Sequence, residues 1–320
     1  MLAKPTTTPT ATPDAPARPI TILDGGMGRE LMRMGAPFRQ PEWSALALTE
    51  GPDWVVQAHK NFIAAGAEVI TTNSYAIVPF HIGEARFASS SRALAALCAD
   101  LARKAVADSG KSVRIAASLP PLFGSYRPDL WNAAEAPRII DELIEGLAPE
   151  ADIWLGETLS AIAEARCVRD GLDRHGSAAA KPLWIAYTLD DYRFGALRSG
   201  ELVADAVKAA VDLGAEAVLF NCSQSEAISA AMPLARAAAG GQARIGGYAN
   251  RFVAAHGSTG EANEQLAAFR DDLDPPAYGD VVEGWTRDGA TILGGCCGMT
   301  PNHIRALATR FGAKSAAAID

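Results

Sequence analysis

Short apolar runs rich in β-formers alternate along the chain with longer stretches of helical periodicity. The runs are ITILDGG (20–26), EVITTNSY (68–75), RIAASLPP (114–121), IWLGETL (153–159), LWIAYTL (183–189), AVLFNCS (217–223), RIGGYAN (244–250) and ATILGGCC (290–297). Each is short and bounded by turn residues, which predicts strands. Between them, Leu94, Leu97, Cys98, Leu101 and Ala105 recur at the i, i+3, i+4, i+7 spacing of one buried helix face. Ile139, Ile140, Leu143 and Leu147 repeat the pattern, as do Val203, Ala206, Val207 and Ala210. A last helix is expected to open at Thr300 as N-cap with Pro301 in its first position, turning Ile304, Leu307 and Phe311 inward. Eight strand–helix repeats predict an α/β fold of the (β/α)8 TIM-barrel type in a single domain, with a doubly wound open sheet as the alternative. The glycines after the first run, Gly25, Gly26 and Gly28, lack dinucleotide-binding spacing, and neither a phosphate-binding Walker loop nor a G-x-S-x-G elbow is present. The stretch 251–285 is the least regular and is expected to loop over one end of the barrel.

Composition narrows the function classes. With 29 Lys and Arg against 37 Asp and Glu, the net charge is −8. That balance offers no electrostatic footprint for nucleic acid. No uninterrupted apolar window reaches the ~18 residues of a membrane span. Residues 1–18 are rich in Pro, Thr and Ala and lack the apolar segment of a signal peptide, so a disordered tail is expected there. Five cysteines, an odd number, make no disulfide framework in a chain of 320 residues and fit a reducing, cytoplasmic setting.

In a barrel of this type the chemistry sits where the strands end. The polar groups at those ends are Asp24-Gly25-Gly26, Thr71-Thr72-Asn73, Glu157-Thr158, Asn221-Cys222-Ser223, Asn250 and Cys296-Cys297. Closure would bring Cys222 beside Cys296 and Cys297. Three convergent thiolates suit Zn²⁺ and leave one tetrahedral position open, provided Gly294, Gly295 and Gly298 let adjacent cysteines share one ion. Cys98, on its apolar stripe, and Cys167 read as core residues. Three thiolates leave such a centre net negative, a poor activator of water and a good holder of a nucleophilic sulfur. The expected reaction is methyl transfer to a thiol from a sulfonium or quaternary ammonium donor, whose leaving group departs neutral. Trp43, Tyr75, Tyr126 and Trp131 are candidate aromatic faces for that cation. Asp24 and Glu157 could hold an acceptor's ammonium, and the backbone amides of Gly25 and Gly26 its carboxylate.

The segments DGGMGREL (24–31), EVITTNSY (68–75), GETLSAIAEAR (156–166), FNCS (220–223) and GGCCGMTPNHIRAL (294–307) resemble the homocysteine S-methyltransferase family in order and spacing, over about residues 20–312. The resemblance implies a zinc-dependent (β/α)8 enzyme that methylates the zinc-bound thiolate of homocysteine to give methionine. It implies Cys222, Cys296 and Cys297 as zinc ligands, catalytic through the metal. It places Asp24 and Glu157 at the homocysteine amino group, Gly25 and Gly26 nearby, Thr72 at a substrate position, and Trp43 of PEWSALAL in the family's Trp-Ser-Ala segment. Partners would be homocysteine and a small methyl donor, with neither nucleic acid nor membrane involved. The corresponding layout is a tail over 1–18, a homocysteine-binding barrel over 19–313 and a short tail over 314–320. The chain departs from S-methylmethionine-using relatives at SLPPLFGSYRPD (118–129), where they read Gly-Pro-Tyr-Gly, and it lacks cobalamin and folate modules. Other readings are methylation of a different thiol or selenol, and a zinc-binding or redox thiol protein. The latter would have no use for Asp24, Glu157 or the aromatics.

Overall fold

The computed structural model describes residues 19–37, 42, 44–253 and 268–312. The expected tails 1–18 and 314–320, and Trp43, lie outside the described residues. Strands β1 (Thr21–Ile22), β2 (Val69–Thr71), β3 (Arg114–Leu119), β4 (Ile153–Leu159), β5 (Leu183–Tyr187), β6 (Ala217–Asn221), β7 (Arg244–Tyr248) and β8 (Ala290–Leu293) coincide with the eight apolar runs. They form one parallel sheet in the order β1-β8-β7-β6-β5-β4-β3-β2. A bridge between Leu23 and Val69, and the Glu68 amide donating to the Ile22 carbonyl at 2.8 Å, bring the two ends together. The result is the TIM barrel, not the open sheet.

The helices are α1 (Met27–Met34), α2 (Ala45–Glu50), α3 (Pro52–Ala65), α4 (Pro79–Ile82), α5 (Glu84–Ser109), α6 (Ala136–Leu147), α7 (Ile162–Arg174), α8 (Val203–Asp212), α9 (Ser225–Ala239), α10 (Pro275–Arg287) and α11 (Pro301–Phe311). Their apolar stripes turn to the sheet as the periodicity predicts; Leu94, Cys98, Leu101 and Ala105 of α5 are all buried. Helix α11 starts at Thr300 with Pro301 first. The Thr300 amide donates to His303 Nδ1 (3.1 Å), and His303 Nε2 then donates to the Leu273 carbonyl (3.1 Å). The stretch 251–285 is more regular than its sequence suggests. Its last third belongs to α10, which Asp274 caps by accepting the Ala277 amide at 2.9 Å. Phe252 and Phe269 pair across its first part, and their rings stack.

Two cores result. A large one fills the space between sheet and helices. A smaller one fills the barrel itself with Leu23, Val69, Ile153, Leu155, Trp184, Leu219 and Ile292, and Cys296 packs against its top. The barrel is therefore plugged below the strand ends, and a cleft can open only at the mouth.

Candidate functional site

The mouth is assembled by loops that lock onto one another through backbone bonds. The Gly295 amide donates to the Asp24 carbonyl (3.0 Å) and the Gly26 amide to the Met299 carbonyl (3.1 Å), joining the loops after β1 and β8. The Cys296 amide donates to Ala249 (2.9 Å) and the Arg251 amide to the Cys297 carbonyl (2.8 Å), fixing the cysteine pair to the loop after β7. A Cβ on Gly26 would lie 2.7 Å from the Cys296 carbonyl oxygen, so glycine there is required by close approach. Of the glycines around the cysteine pair, only Gly298 takes a positive φ (84°); Gly294 and Gly295 are held small by Leu23 and Met299. The Gly26 amide, expected near a substrate carboxylate, donates to the Met299 carbonyl.

At the end of β6, Cys222 adopts φ +50°, and in β4 Thr158 adopts φ +59°. Such left-handed backbone is costly for side chains with a Cβ and persists when neighbours over-determine it. Here Asn221 does so. Its side-chain carbonyl accepts the Thr158 amide (3.0 Å) and its amide donates to Thr158 Oγ1 (2.9 Å). One buried amide thus sets the residues next to both Cys222 and Glu157.

The structure brings Cys222, Cys296 and Cys297 together, with their three sulfurs within 4.8 Å of one another. Cys222 and Cys297 sulfurs are 4.0 Å apart, and all three thiols are free. Tetrahedral zinc with bonds of about 2.3 Å needs sulfur separations of about 3.8 Å, so a slight contraction seats the ion. The soft donor set and spacing fit a metal, and among the described residues this is the one such cluster of three or more His, Cys, Asp or Glu side chains. Hydrogen bonds from Cys222 and Cys296 hold the Cys297 thiol well below the ordinary range, helped by the nearby positive charge of Arg29. Cys98 and Cys167 lie apart in α5 and α7; the Cys98 thiol donates to the Asn73 carbonyl at 3.1 Å.

A cleft of about 860 Å³, counting space open to solvent, lies over the sulfurs. Asp24, Glu157, Thr72, Gly25 and Gly26 all line it. Asp24 accepts the Thr71 amide (2.7 Å) and hydroxyl (3.1 Å), yet burial pushes its carboxyl up to about 8. Glu157 accepts from Ser118 Oγ (2.7 Å) and the Tyr248 hydroxyl (3.1 Å), and burial raises it to about 7. Glu157 points from within β4, so it is not a helix N-terminal charge. Thr72 Oγ1 accepts the Ser118 amide at 3.0 Å. Both acids are thus held in place by their neighbours and pushed up by burial.

The candidate aromatics separate. Tyr75 lines the cleft with its hydroxyl tied to Ser125 Oγ (2.7 Å). Tyr126 also lines it, but the Arg198 guanidinium already covers its ring at 4.4 Å and its hydroxyl donates to Cys222 Sγ at 2.8 Å. Trp131 packs edge-on against Phe123 and is not part of the lining. Sequence reasoning missed Ser118, Tyr248 and Arg29, the last lining the cleft beneath the Phe252 and Phe269 rings at 5.2 and 5.0 Å. Arg29 stands five residues past Asp24 on the same loop–helix unit, a signal available in the sequence.

Relatives match this chain over most of its length. The homocysteine S-methyltransferase of Escherichia coli (strain K12) is 28% identical, over 91% of this chain and 95% of that protein. YbgG of Bacillus subtilis (strain 168), also named a homocysteine S-methyltransferase, is 27% identical over 91% and 94%. A selenocysteine methyltransferase of Astragalus bisulcatus is 25% identical over 89% and 90%. The metallated form of the E. coli homocysteine methyltransferase MmuM superposes with a TM-score of 0.74 at 27% identity, covering 92% of this chain and 96% of that one. The sequence profile of the homocysteine S-methyltransferase family matches residues 21–311. With a barrel of that family's fold and three cysteines gathered at its mouth, the chain belongs to the homocysteine S-methyltransferase family.

Proposed function

We propose that the protein transfers a methyl group from a sulfonium or quaternary ammonium donor to the sulfur of homocysteine, giving methionine, with Zn²⁺ held by Cys222, Cys296 and Cys297. The observation that carries this is the meeting of three free sulfurs within 4.8 Å beneath a cleft that holds two buried carboxyls. Zinc bound there would supply an open position at which the acceptor thiol is kept as thiolate at neutral pH, where a free thiol of pKa about 8.5 is mostly protonated.

Asp24 and Glu157 bind and orient the acceptor's ammonium, whose charge offsets the burial that pushes both carboxyls up. Ser118, Tyr248 and Thr71 fix the carboxylates' direction, so little ordering remains to be done on binding. The Tyr75 ring offers an aromatic surface for the donor's cationic head. The new carbon–sulfur bond forms as the donor's carbon–sulfur or carbon–nitrogen bond breaks, and the leaving group keeps that electron pair and departs neutral. The apolar plug below the sulfurs keeps water from approaching from inside the barrel.

A methyl-transfer assay with homocysteine against S-methylmethionine, betaine and S-adenosylmethionine, with and without chelator, tests the reading. Methionine should form with one class of donor and stop on metal removal. Full activity in demonstrably metal-free protein would overturn it.

A further inference from the structure

We infer that Tyr126 is a positioning residue for the metal centre: its hydroxyl holds the Cys222 sulfur, and Arg198 with Asp191 braces its ring. The inference rests on the metal reading above and assigns this part of the loop after β3 to the ligand set rather than to the donor. Tyr126 comes from that loop with φ +64°, a backbone state that a bulky residue adopts only under constraint. The constraint is visible on both sides. The preceding residue, Ser125, is tied through its hydroxyl to Tyr75 at 2.7 Å. The ring is covered by the Arg198 guanidinium at 4.4 Å.

Arg198 is itself fixed. It pairs with Asp191 at 2.7 Å, and both side chains are largely buried. The other Asp191 oxygen accepts the backbone amide of Gln224 at 2.7 Å, and Gln224 stands two residues after Cys222. The contacts close a ring: Cys222 to Gln224 through the chain, then Asp191, Arg198, Tyr126, and back to Cys222 through the 2.8 Å hydrogen bond. The ring spans the loops after β3, β5 and β6. It orients the one ligand that does not belong to the adjacent pair. A phenol, protonated at neutral pH, can only donate to a thiolate, and that bond draws charge from the sulfur. Groups that orient a metal's ligands in this way typically contribute about 10–100-fold in affinity.

The test uses Tyr126→Phe, which keeps the ring and removes only the donor, and Arg198→Lys, which keeps the charge but not the planar stack. Co²⁺ is loaded into the full chain, and the sulfur-to-cobalt absorption and the chelator-competition affinity are read. Tyr126→Phe should bind metal about tenfold more weakly and shift the absorption to longer wavelength, because the unshielded sulfur gives up charge more readily. Arg198→Lys should move both readouts in the same direction by less. A Tyr126→Phe protein with wild-type affinity and an unmoved band would overturn the inference while leaving the metal reading intact. An Arg198→Lys protein matching wild type would overturn the bracing half. A wild-type protein that takes up neither cobalt nor zinc would sink both readings together.

Discussion

The two ends of the barrel interior are built on opposite rules. Below the strand ends, Ile153, Leu155, Leu219 and Ile292 fill the barrel with carbon, and a lost methyl there costs packing alone. A few residues further along the same strands, the inward positions become Glu157, Cys222 and the Cys296–Cys297 pair, each held by named hydrogen bonds and each burdened by burial. Burial raises Asp24 to about 8 and Glu157 to about 7. The lower end is stable by itself. The mouth carries that burden, and on the proposed function a metal ion and an ammonium group would offset it.

That contrast can be broken at several strengths. The largest effect is expected from Cys296→Ser, which should lose zinc affinity by more than the ~100-fold that outer-shell groups can cost and lose methyl transfer with it; equilibrium dialysis and the activity assay read both. Next, Glu157→Gln should keep its metal but raise the homocysteine KM about 10–150-fold, the equivalent of about 1.5–3 kcal/mol for a charged hydrogen bond. An unchanged KM would remove Glu157 from the acceptor site. A smaller effect concerns pH in the metal-free protein. Folded-state values of about 8 and about 7 exceed the ordinary carboxylate range, so the folded mouth binds protons that the unfolded chain does not, and the stability lost at about pH 8 and above is regained as pH falls from there toward the ordinary carboxylate range of about 4. The melting temperature should rise as pH falls from about 8 to about 5, and Asp24→Asn should flatten that slope. Least of all, Cys98→Ser should leave zinc content and homocysteine KM untouched and cost about 1 kcal/mol in denaturant unfolding, because this thiol belongs to the α5 packing.

The alternation of apolar runs with i, i+3, i+4 stripes was enough to place all eight strands, since each strand is buried on both faces and reads as a continuous apolar segment. The α10 helix was harder to see. It opens on two prolines and carries Gly279 and Gly284, so its local signal resembles a loop although its packing is helical. In the mouth, the cysteines were legible because few other roles require two adjacent thiols among glycines. Tyr248 and Ser118 were not, because inside strands β7 and β3 they look like ordinary core positions until β4 places Glu157 between them. Tyr126 was visible as an aromatic but not as a sulfur partner, because that contact joins residues 96 apart in the chain. The Gly26 amide looked free for the same reason; only the loop after β8 reveals its partner.

X-ray absorption at the zinc edge of the loaded protein tests the central claim most directly. The account predicts three sulfur neighbours at about 2.3 Å, becoming four when homocysteine is added. Fewer than three sulfurs, or a shell that homocysteine leaves unchanged, would contradict it.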